Sequence, residues 1–345
     1  MNFMTIFNPS ALAAAAPARA EGRAKARWQG ALFVVVAVGI CLLAPGYLLF
    51  QGSQLLIYAI AIVGLNLLVG FNGQLSLGHG AFYAVGAFTA ALLVQYAEMP
   101  FILAIAVAGA VCLVSGFLFG LPASRLAGHY LALATFALSV ATPQLLKHQS
   151  IAKWTGGAQG LVIDRTGAPF GIPLDPDQWY FTICAAITVL MFVLARNLVH
   201  SRVGRAMEAI RDQPVAATTM GINTTLNRAI VFGISAFYVG VAGAMAAMLA
   251  QFVSPDSYTL ALSISLLVGV VLGGTANLSG AIWGALFILF APNLLENISK
   301  SAPGTLYGAL LILVILIMPA GVAGAIAQGM AKLRGRDARQ PQGDK

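Results

Sequence analysis

Few residues in this sequence are able to do acid–base or metal chemistry. The chain of 345 residues holds 11 carboxylates, 4 histidines and 3 cysteines. Cys41, Cys112 and Cys184 each fall inside an apolar run without metal-ligand spacing. They read as small buried packing residues rather than disulfides or ligands. No Asp, Glu, Lys or Arg lies near the centre of a long apolar stretch. Glu98, Lys147 and Glu296 stand at the ends of such stretches, where long side chains reach an interface. With no acid/base pair, no metal constellation and no Gly-Lys phosphate loop, the sequence predicts neither an enzyme nor a resident cofactor or metal.

What remains is hydrogen-bonding chemistry and close backbone approach. The stretch from Gly70 to Phe82 is polar and glycine-rich between two apolar runs, and it carries Asn72, Gln74, Ser76 and His79. Its glycines permit a tight or broken backbone, which is tolerated at membrane depth only against protein or a water-filled path. Two readings stand: a segment lining a translocation route, or a tight turn whose Asn72, Gln74, Ser76 and His79 cap the flanking helices. A lone His79 is not a metal site under either. Asn66, in the middle of the preceding apolar run, reads as interhelical hydrogen-bond glue, with pathway lining as the alternative.

The elements that would position these residues follow from the composition. Only 9% of residues are charged and 59% are hydrophobic, with a mean hydropathy of +0.86. Soluble domains carry about 25% charged residues, so a water-soluble enzyme, a disordered chain and a nucleic-acid-binding module are excluded. A bilayer-spanning helix needs about 20 apolar residues. The uncharged stretch from Trp28 to Ala97 accommodates three such helices. Met99 to Ser124, Leu126 to Leu146, Gln178 to Ala195 and Ala229 to Pro255 each accommodate one. Ser257 to Leu295, split at Gly273-Gly274-Thr275-Ala276-Asn277, accommodates two, and Ser301 to Ala331 the last. The fold class is therefore all-α: a polytopic helical membrane protein of about ten transmembrane helices.

The net charge of +8 supports that count. With the N-terminus inside and ten alternating spans, inner segments hold 15 basic and 5 acidic residues, and outer ones 4 and 6. The inner excess of +10 against −2 outside obeys the positive-inside rule and is not a nucleic-acid footprint. Both termini are then cytoplasmic. The expected domains are a cytoplasmic extension over 1–29, a transmembrane domain over 30–325 and a cytoplasmic tail over 326–345, polar and disordered in composition towards its end. The extension lacks the order of a signal peptide, because its basic cluster follows its short apolar run. Four Gly-x-x-x-Gly pairs, at Gly116–Gly120, Gly269–Gly273, Gly280–Gly284 and Gly304–Gly308, read as packing contacts within the chain.

Two loops carry further signals. The outer loop from Lys147 to Gln178 mixes charge with turn residues, which suits either a partner surface or a plain solvated loop. The inner loop over 197–227 is the more informative. Val203 to Arg211 has helical content and both charge signs, and Asp212-Gln213-Pro214 interrupts it. Pro214 suits the first position of a new helix and Gly221 its stop, which predicts a short helix from about Pro214 to Met220. Such a projecting helix suits contact with a cytosolic motor, or serves only as an interfacial anchor.

The run Gly204-Arg205-Ala206-Met207-Glu208-Ala209-Ile210-Arg211-Asp212, followed by Ala216-Ala217 and Gly221-Ile222-Asn223, resembles the coupling loop of high-affinity branched-chain amino acid ABC importer permeases. Leu65-Asn66-Leu67-Leu68 with Gly73 to Phe82 is similar to an early block of that family. So are Thr155-Gly156-Gly157 with Gly160-Leu161, and Gly273-Gly274-Thr275. The resemblance spans about residues 30 to 325 and is closest to the M-type of the two permeases. One departure is that Val215 stands where the general ABC-importer loop has Glu, and its Leu-Pro is missing.

The resemblance implies a permease subunit that forms a translocation pathway and carries a cytoplasmic coupling helix. Its partners would be a second, similar permease, two cytosolic ATP-binding subunits that hydrolyse the ATP, and a periplasmic substrate-binding protein. The cargo would be a small amino acid, the surroundings membrane lipid, with no nucleic acid. Coupling would fall to Glu208, Ala209, Arg211, Ala216, Ala217 and Gly221. Asn66, Asn72, Gln74, Ser76 and His79 are the candidate pathway residues. The alternatives are a permease for urea, short amides or aromatic acids, or a self-sufficient secondary transporter or channel. The lack of midplane ionisable groups argues against ion coupling.

Overall fold

The computed structural model describes residues 45–126, 128–163, 175–298 and 308. The expected first span, the last span beyond Ser301, both terminal extensions, Cys41 and Gly304 lie outside these residues. Eight of the ten expected spans fall within them, and each is a helix.

Helix α1, Gly46–Asn66, runs on without a break into a π-helical turn, Leu67–Phe71. Helix α2 is His79–Ala97, α3 is Phe101–Ala123 and α4 is His129–Leu146. A short helix α5, Gln149–Thr155, and a two-residue strand β1, Leu161–Val162, precede α6, Pro176–Val199. Helices α7, Arg202–Asp212, and α8, Pro214–Thr219, form the loop before α9, Thr224–Ala250. Strand β2, Phe252–Val253, then leads to α10, Leu260–Gly273, and α11, Gly280–Ile298. Among the described residues, six helices are long and apolar enough to cross a membrane.

Burial separates a centre from a periphery. In both α1 and α9, 78% of the most apolar window is buried, against 39% in α3 and 33% in α6. Helix α9 packs on α1, α2 and α3, while the α10–α11 hairpin and α6 cover other sides of α1. The outer faces of α3, α4 and α6 leave Leu118, Leu133 and Leu190 exposed. In water this exposure would be a liability; in lipid it is the expected exterior.

The close contacts at the centre rest on missing side chains. A Cβ on Gly116 would overlap Ala236, and one on Gly269 would overlap Ile62 and Ile288. Gly273 and Gly280 approach each other so closely that a Cβ on either would overlap the other's backbone. The three described Gly-x-x-x-Gly pairs thus pack within the chain, as their sequence reading expects.

The end of the bundle opposite the α7–α8 loop is closed by the β1–β2 pair, in which Leu161 faces Val253 and Val162 faces Phe252. The Thr155-Gly156-Gly157 block builds this cap: Thr155 Oγ1 donates to Leu146 O at 2.7 Å and accepts from Gly157 N. Tyr96 and Trp154 stack edge to face on the cap, and Lys147 pairs with Asp256 beside them.

Candidate functional site

The polar stretch between α1 and α2 alternates buried polar residues with the exposed Gly73 and Leu75, and none of its side chains makes a cap bond to α2. After the π-turn the chain is non-helical from Asn72 to Gly78, yet Asn72, Gln74, Ser76, Gly78 and His79 are buried. The break begins beside α7 and ends inside the bundle. His79 Nε2 lies 2.7 Å from Ser235 Oγ, and Ser235 is eleven residues into α9, about 16 Å along its axis at 1.5 Å per residue.

Irregular backbone at that depth needs internal partners, since each unsatisfied group costs several kcal/mol, about 4–8 on a water-to-hydrocarbon scale. Two hydroxyl chains from three other helices supply them. In the first, Ser235 Oγ donates to Gly64 O at 2.7 Å, so it accepts from His79 Nε2. Nδ1 then accepts from Ser76 Oγ at 2.9 Å, and Ser76 Oγ accepts from Gly78 N. One proton sits at each link, which fixes His79 as the neutral, Nε2-protonated tautomer. Phe82 and Phe232 flank its ring with centroids 5.9 and 5.7 Å away.

In the second chain, Ser139 Oγ donates to Leu77 O at 2.7 Å. Ser263 Oγ therefore donates to Ser139 across 2.7 Å, and it accepts from Gly80 N at 2.8 Å. Thr135 Oγ1 completes the set by accepting from Leu77 N at 3.0 Å. No side chain of the break caps α2; an orphan amide of its first turn is satisfied from α10 instead. The sequence reading missed these hydroxyls. The one legible trace was the spacing of Thr135, Ser139 and Thr142, which puts three hydroxyls on one face of α4.

Asn66 works elsewhere. Its Nδ2 donates to Asn277 O at 2.9 Å and approaches Gly274 O at 3.5 Å, while its Oδ1 accepts from Ala276 N at 3.0 Å. It thereby holds the α10–α11 loop against α1. Asn72 and Gln74 differ from every other polar residue of the break. Both side-chain polar atoms of Asn72 and Oε1 of Gln74 are buried without a partner among the described residues.

The α7–α8 loop lies at the start of the break. Ser201 caps α7 by accepting from Val203 N and Gly204 N, and Gly204, Met207 and Ile210 form its buried face. Pro214 opens α8 at its first turn. Gly221 closes it at φ +82°, with Ile222 N donating to Ala217 O at 3.1 Å, so a left-handed residue ends the helix as its Gly predicts.

The candidate coupling residues divide by exposure. Glu208, Ala216 and Gly221 face outward, Ala209 is half-buried, and Ala217 is buried. Arg211 is exposed as well, but it reaches back to the π-turn, with Nη1 donating to Gly70 O at 3.0 Å and Nε pairing with Asp212 at 2.9 Å. Two apolar residues that the sequence reading did not assign to coupling project from this loop, Val215 at 77% and Met220 at 85% exposure. Their signal was apolar character inside an otherwise polar, small-sided loop. Among the described residues, no group of three His, Cys, Asp or Glu could hold a metal.

Comparison with known proteins agrees with this architecture. Residues 47–319 match the family described as "Branched-chain amino acid transport system / permease component". The permease protein LivM of Salmonella typhimurium strain LT2 is 31% identical over 319 residues, covering 84% of this chain and 74% of that protein. LivM of Escherichia coli K12 is 32% identical over 290 residues, covering 77% and 68%. The related permease protein LivH of Escherichia coli K12 is 26% identical over 301 residues, covering 77% and 91%. No solved structure matches. A chain of apolar helices that matches this family over most of its length, and carries a projecting loop beside a break inside the bundle, belongs to the permease components of branched-chain amino acid transport systems.

Proposed function

We propose that this chain is one of two different permease subunits in an ATP-driven importer for branched-chain amino acids, paired with a LivH-like subunit. Two cytosolic ATP-binding subunits dock on the α7–α8 loop, and a periplasmic binding protein delivers the substrate to the capped end of the bundle. Both termini then lie in the cytoplasm of a bacterial inner membrane. The observation that carries this reading is the α7–α8 hairpin. It presents Val215 and Met220 to solvent, and its other face is buried against α6, α9 and the π-turn. An apolar knob on a rigid, capped support is what a motor subunit needs in order to push on a membrane bundle.

On this reading the permease contributes no catalytic residue. ATP is hydrolysed elsewhere, and this chain converts loop displacement into opening and closing of a path. Glu208 and Ala216 lie on the docking face with Val215 and Met220. Ala209, Ala217 and Gly221 shape the loop that presents them. Asn72, Gln74, Ser76 and His79 line or support the path, and Asn66 fixes the loop beside it. The exposed Tyr96–Trp154 pair at the opposite end supports contact with the binding protein there.

The test is co-expression of this chain with its neighbouring permease, ATP-binding and binding-protein genes, followed by uptake in proteoliposomes. ATP-dependent uptake of leucine, isoleucine or valine that requires all components is the expected result. Uptake of urea, amides or aromatic acids in preference would reassign the cargo. Flux in vesicles holding this chain alone would replace the reading with a self-sufficient transporter.

A further inference from the structure

Arg211, one of the candidate coupling residues, is exposed, with 32% of its side chain accessible, yet its guanidinium also reaches the chain that leaves α1. Its Nη1 donates to the carbonyl of Gly70 at 3.0 Å, one residue before the π-turn ends at Phe71. The pairing of Nε with Asp212 at 2.9 Å holds the planar fork in the orientation that this bond needs. The aliphatic stem is equally engaged. Arg211 Cγ occupies the space beside Gly73, where a Cβ would come within 2.9 Å of it, and Gly73 itself turns the chain at φ +70°. The last turn of α7 therefore grips the chain on both sides of the point where α1 stops being helical.

The segment so gripped is built to move in its middle and not at its far end. From Leu77 to Gly80 its backbone is pinned by Thr135, Ser139 and Ser263, and His79 is pinned by Ser235. Asn72 lies within the first grip and Gln74, whose N donates to Leu68 O at 3.0 Å, just beyond it; both carry buried side-chain amide atoms that have no partner among the described residues. A buried, unsatisfied polar atom costs about 1–3 kcal/mol, so this arrangement is one from which a shift that finds partners is favourable. A short segment held at both ends that carries unsatisfied side-chain amides suits the two-arrangement element that a coupling route requires.

We propose that Arg211 is the positioning residue through which displacement of the α7–α8 loop reaches the break between α1 and α2. The stroke moves the Asn72–Ser76 segment, and the unpaired amides of Asn72 and Gln74 gain partners in the other state. This rests on the motor-driven reading above. Arg211 acts where the loop meets Gly70 and Gly73, while docking belongs to Val215 and Met220.

The test uses the complete complex in proteoliposomes, with Arg211→Gln and Arg211→Lys, and Arg205→Gln as an exposed control on the same helix. Arg211→Gln is expected to retain the ATP-binding subunits in the wild-type ratio and to hydrolyse ATP, while uptake per ATP falls between about 5- and 150-fold. Arg211→Lys keeps the charge but loses the fork, so its uptake per ATP falls less. Arg205→Gln behaves as wild type. A second readout is maleimide labelling of Leu75→Cys, in a background lacking the three native cysteines. Its rate changes on nucleotide trapping when Arg211 is present and stays constant in the Arg211→Gln variant.

Wild-type uptake per ATP in Arg211→Gln overturns the proposal, and so does loss of the ATP-binding subunits, which would make Arg211 a docking residue. If Arg211→Gln is not recovered folded, wild-type coupling and labelling in Arg211→Lys overturn it. Failure of the wild-type complex to couple uptake to ATP at all would instead fell the reading on which it rests.

Discussion

His79 Nε2 donates to Ser235 Oγ at 2.7 Å across 156 positions of sequence, joining the first turn of α2 to the middle of α9. The same hydroxyl donates onward to Gly64 O in α1, so a single serine ties three of the described helices together. Hydrogen bonds between membrane helices are worth about 0.6–2 kcal/mol each, and this one holds a backbone break in place. Ser235→Ala strands the imidazole N–H in a buried site at a cost of about 1–3 kcal/mol. The detergent-solubilised protein is expected to lose about 2–4 °C of thermal midpoint per kcal/mol. His79→Gln, which both donates and accepts, is expected to lose less than His79→Leu. A Ser235→Ala protein with the wild-type midpoint would contradict the assigned chain of protons.

Asn66 supports a sharper ranking. Its Nδ2 donates to backbone carbonyls of the α10–α11 loop, and its Oδ1 accepts from Ala276 N. Asn66→Ala removes all of these bonds. Asn66→Asp keeps the acceptor but sets a carboxylate against carbonyl oxygens in a buried site, which is worse than an empty one. The expected order of thermal stability is wild type, then Asn66→Ala, then Asn66→Asp. Proteolysis within 274–279 should rise in the same order. Equal behaviour of Asn66→Ala and wild type would mean that the loop is held by packing alone.

The sequence made the helices legible because hydrophobic length is a local property: charge gaps located the apolar stretches, and the polar, glycine-rich runs at 70–78 and 273–277 divided two of them into separate helices. The short helix α8 was legible for a similar reason, since Pro214 and Gly221 are local start and stop signals. The break was visible as a polar, glycine-rich stretch, but not its depth. That depth depends on Ser235, Thr135, Ser139 and Ser263, hydroxyls scattered over three helices, whose relation to residues 77–80 exists only once the bundle is assembled. The reach of Arg211 to Gly70 was hidden likewise. On a loop of both charge signs a guanidinium reads as surface, and its contact with the π-turn depends on the missing side chain of Gly73, which leaves room for the Arg211 stem.

The docking knob is testable apart from the interior. Val215 and Met220 are exposed and make no structural hydrogen bonds through their side chains. Met220→Glu and Val215→Asp are therefore expected to leave thermal stability within about 0.5 kcal/mol of wild type. Both should weaken co-purification of the ATP-binding subunits, because a charge in a desolvated contact costs several kcal/mol unless it is paired. Gly221→Ala should differ from them. It strains a left-handed position by about 1–2 kcal/mol, so it is expected to lower loop stability and docking together. Full retention of the ATP-binding subunits in the Met220→Glu, Val215→Asp double variant would move the docking surface elsewhere.

Ser139 and Ser263 make the strictest test of the hydroxyl chains, because neither acts alone. Ser263 donates to Ser139, which donates to Leu77 O, and Ser263 accepts from Gly80 N. Ser139→Ala leaves the Leu77 carbonyl without this donor and the Ser263 proton without its acceptor. Ser263→Ala leaves the Gly80 amide bare. The double variant suffers both backbone losses but no longer strands a serine hydroxyl, so its destabilisation should fall short of the sum of the single effects by about 0.5–3 kcal/mol. Strict additivity, measured by thermal or denaturant unfolding of all four proteins, would mean that the two serines are not linked and that the break is held by separate contacts.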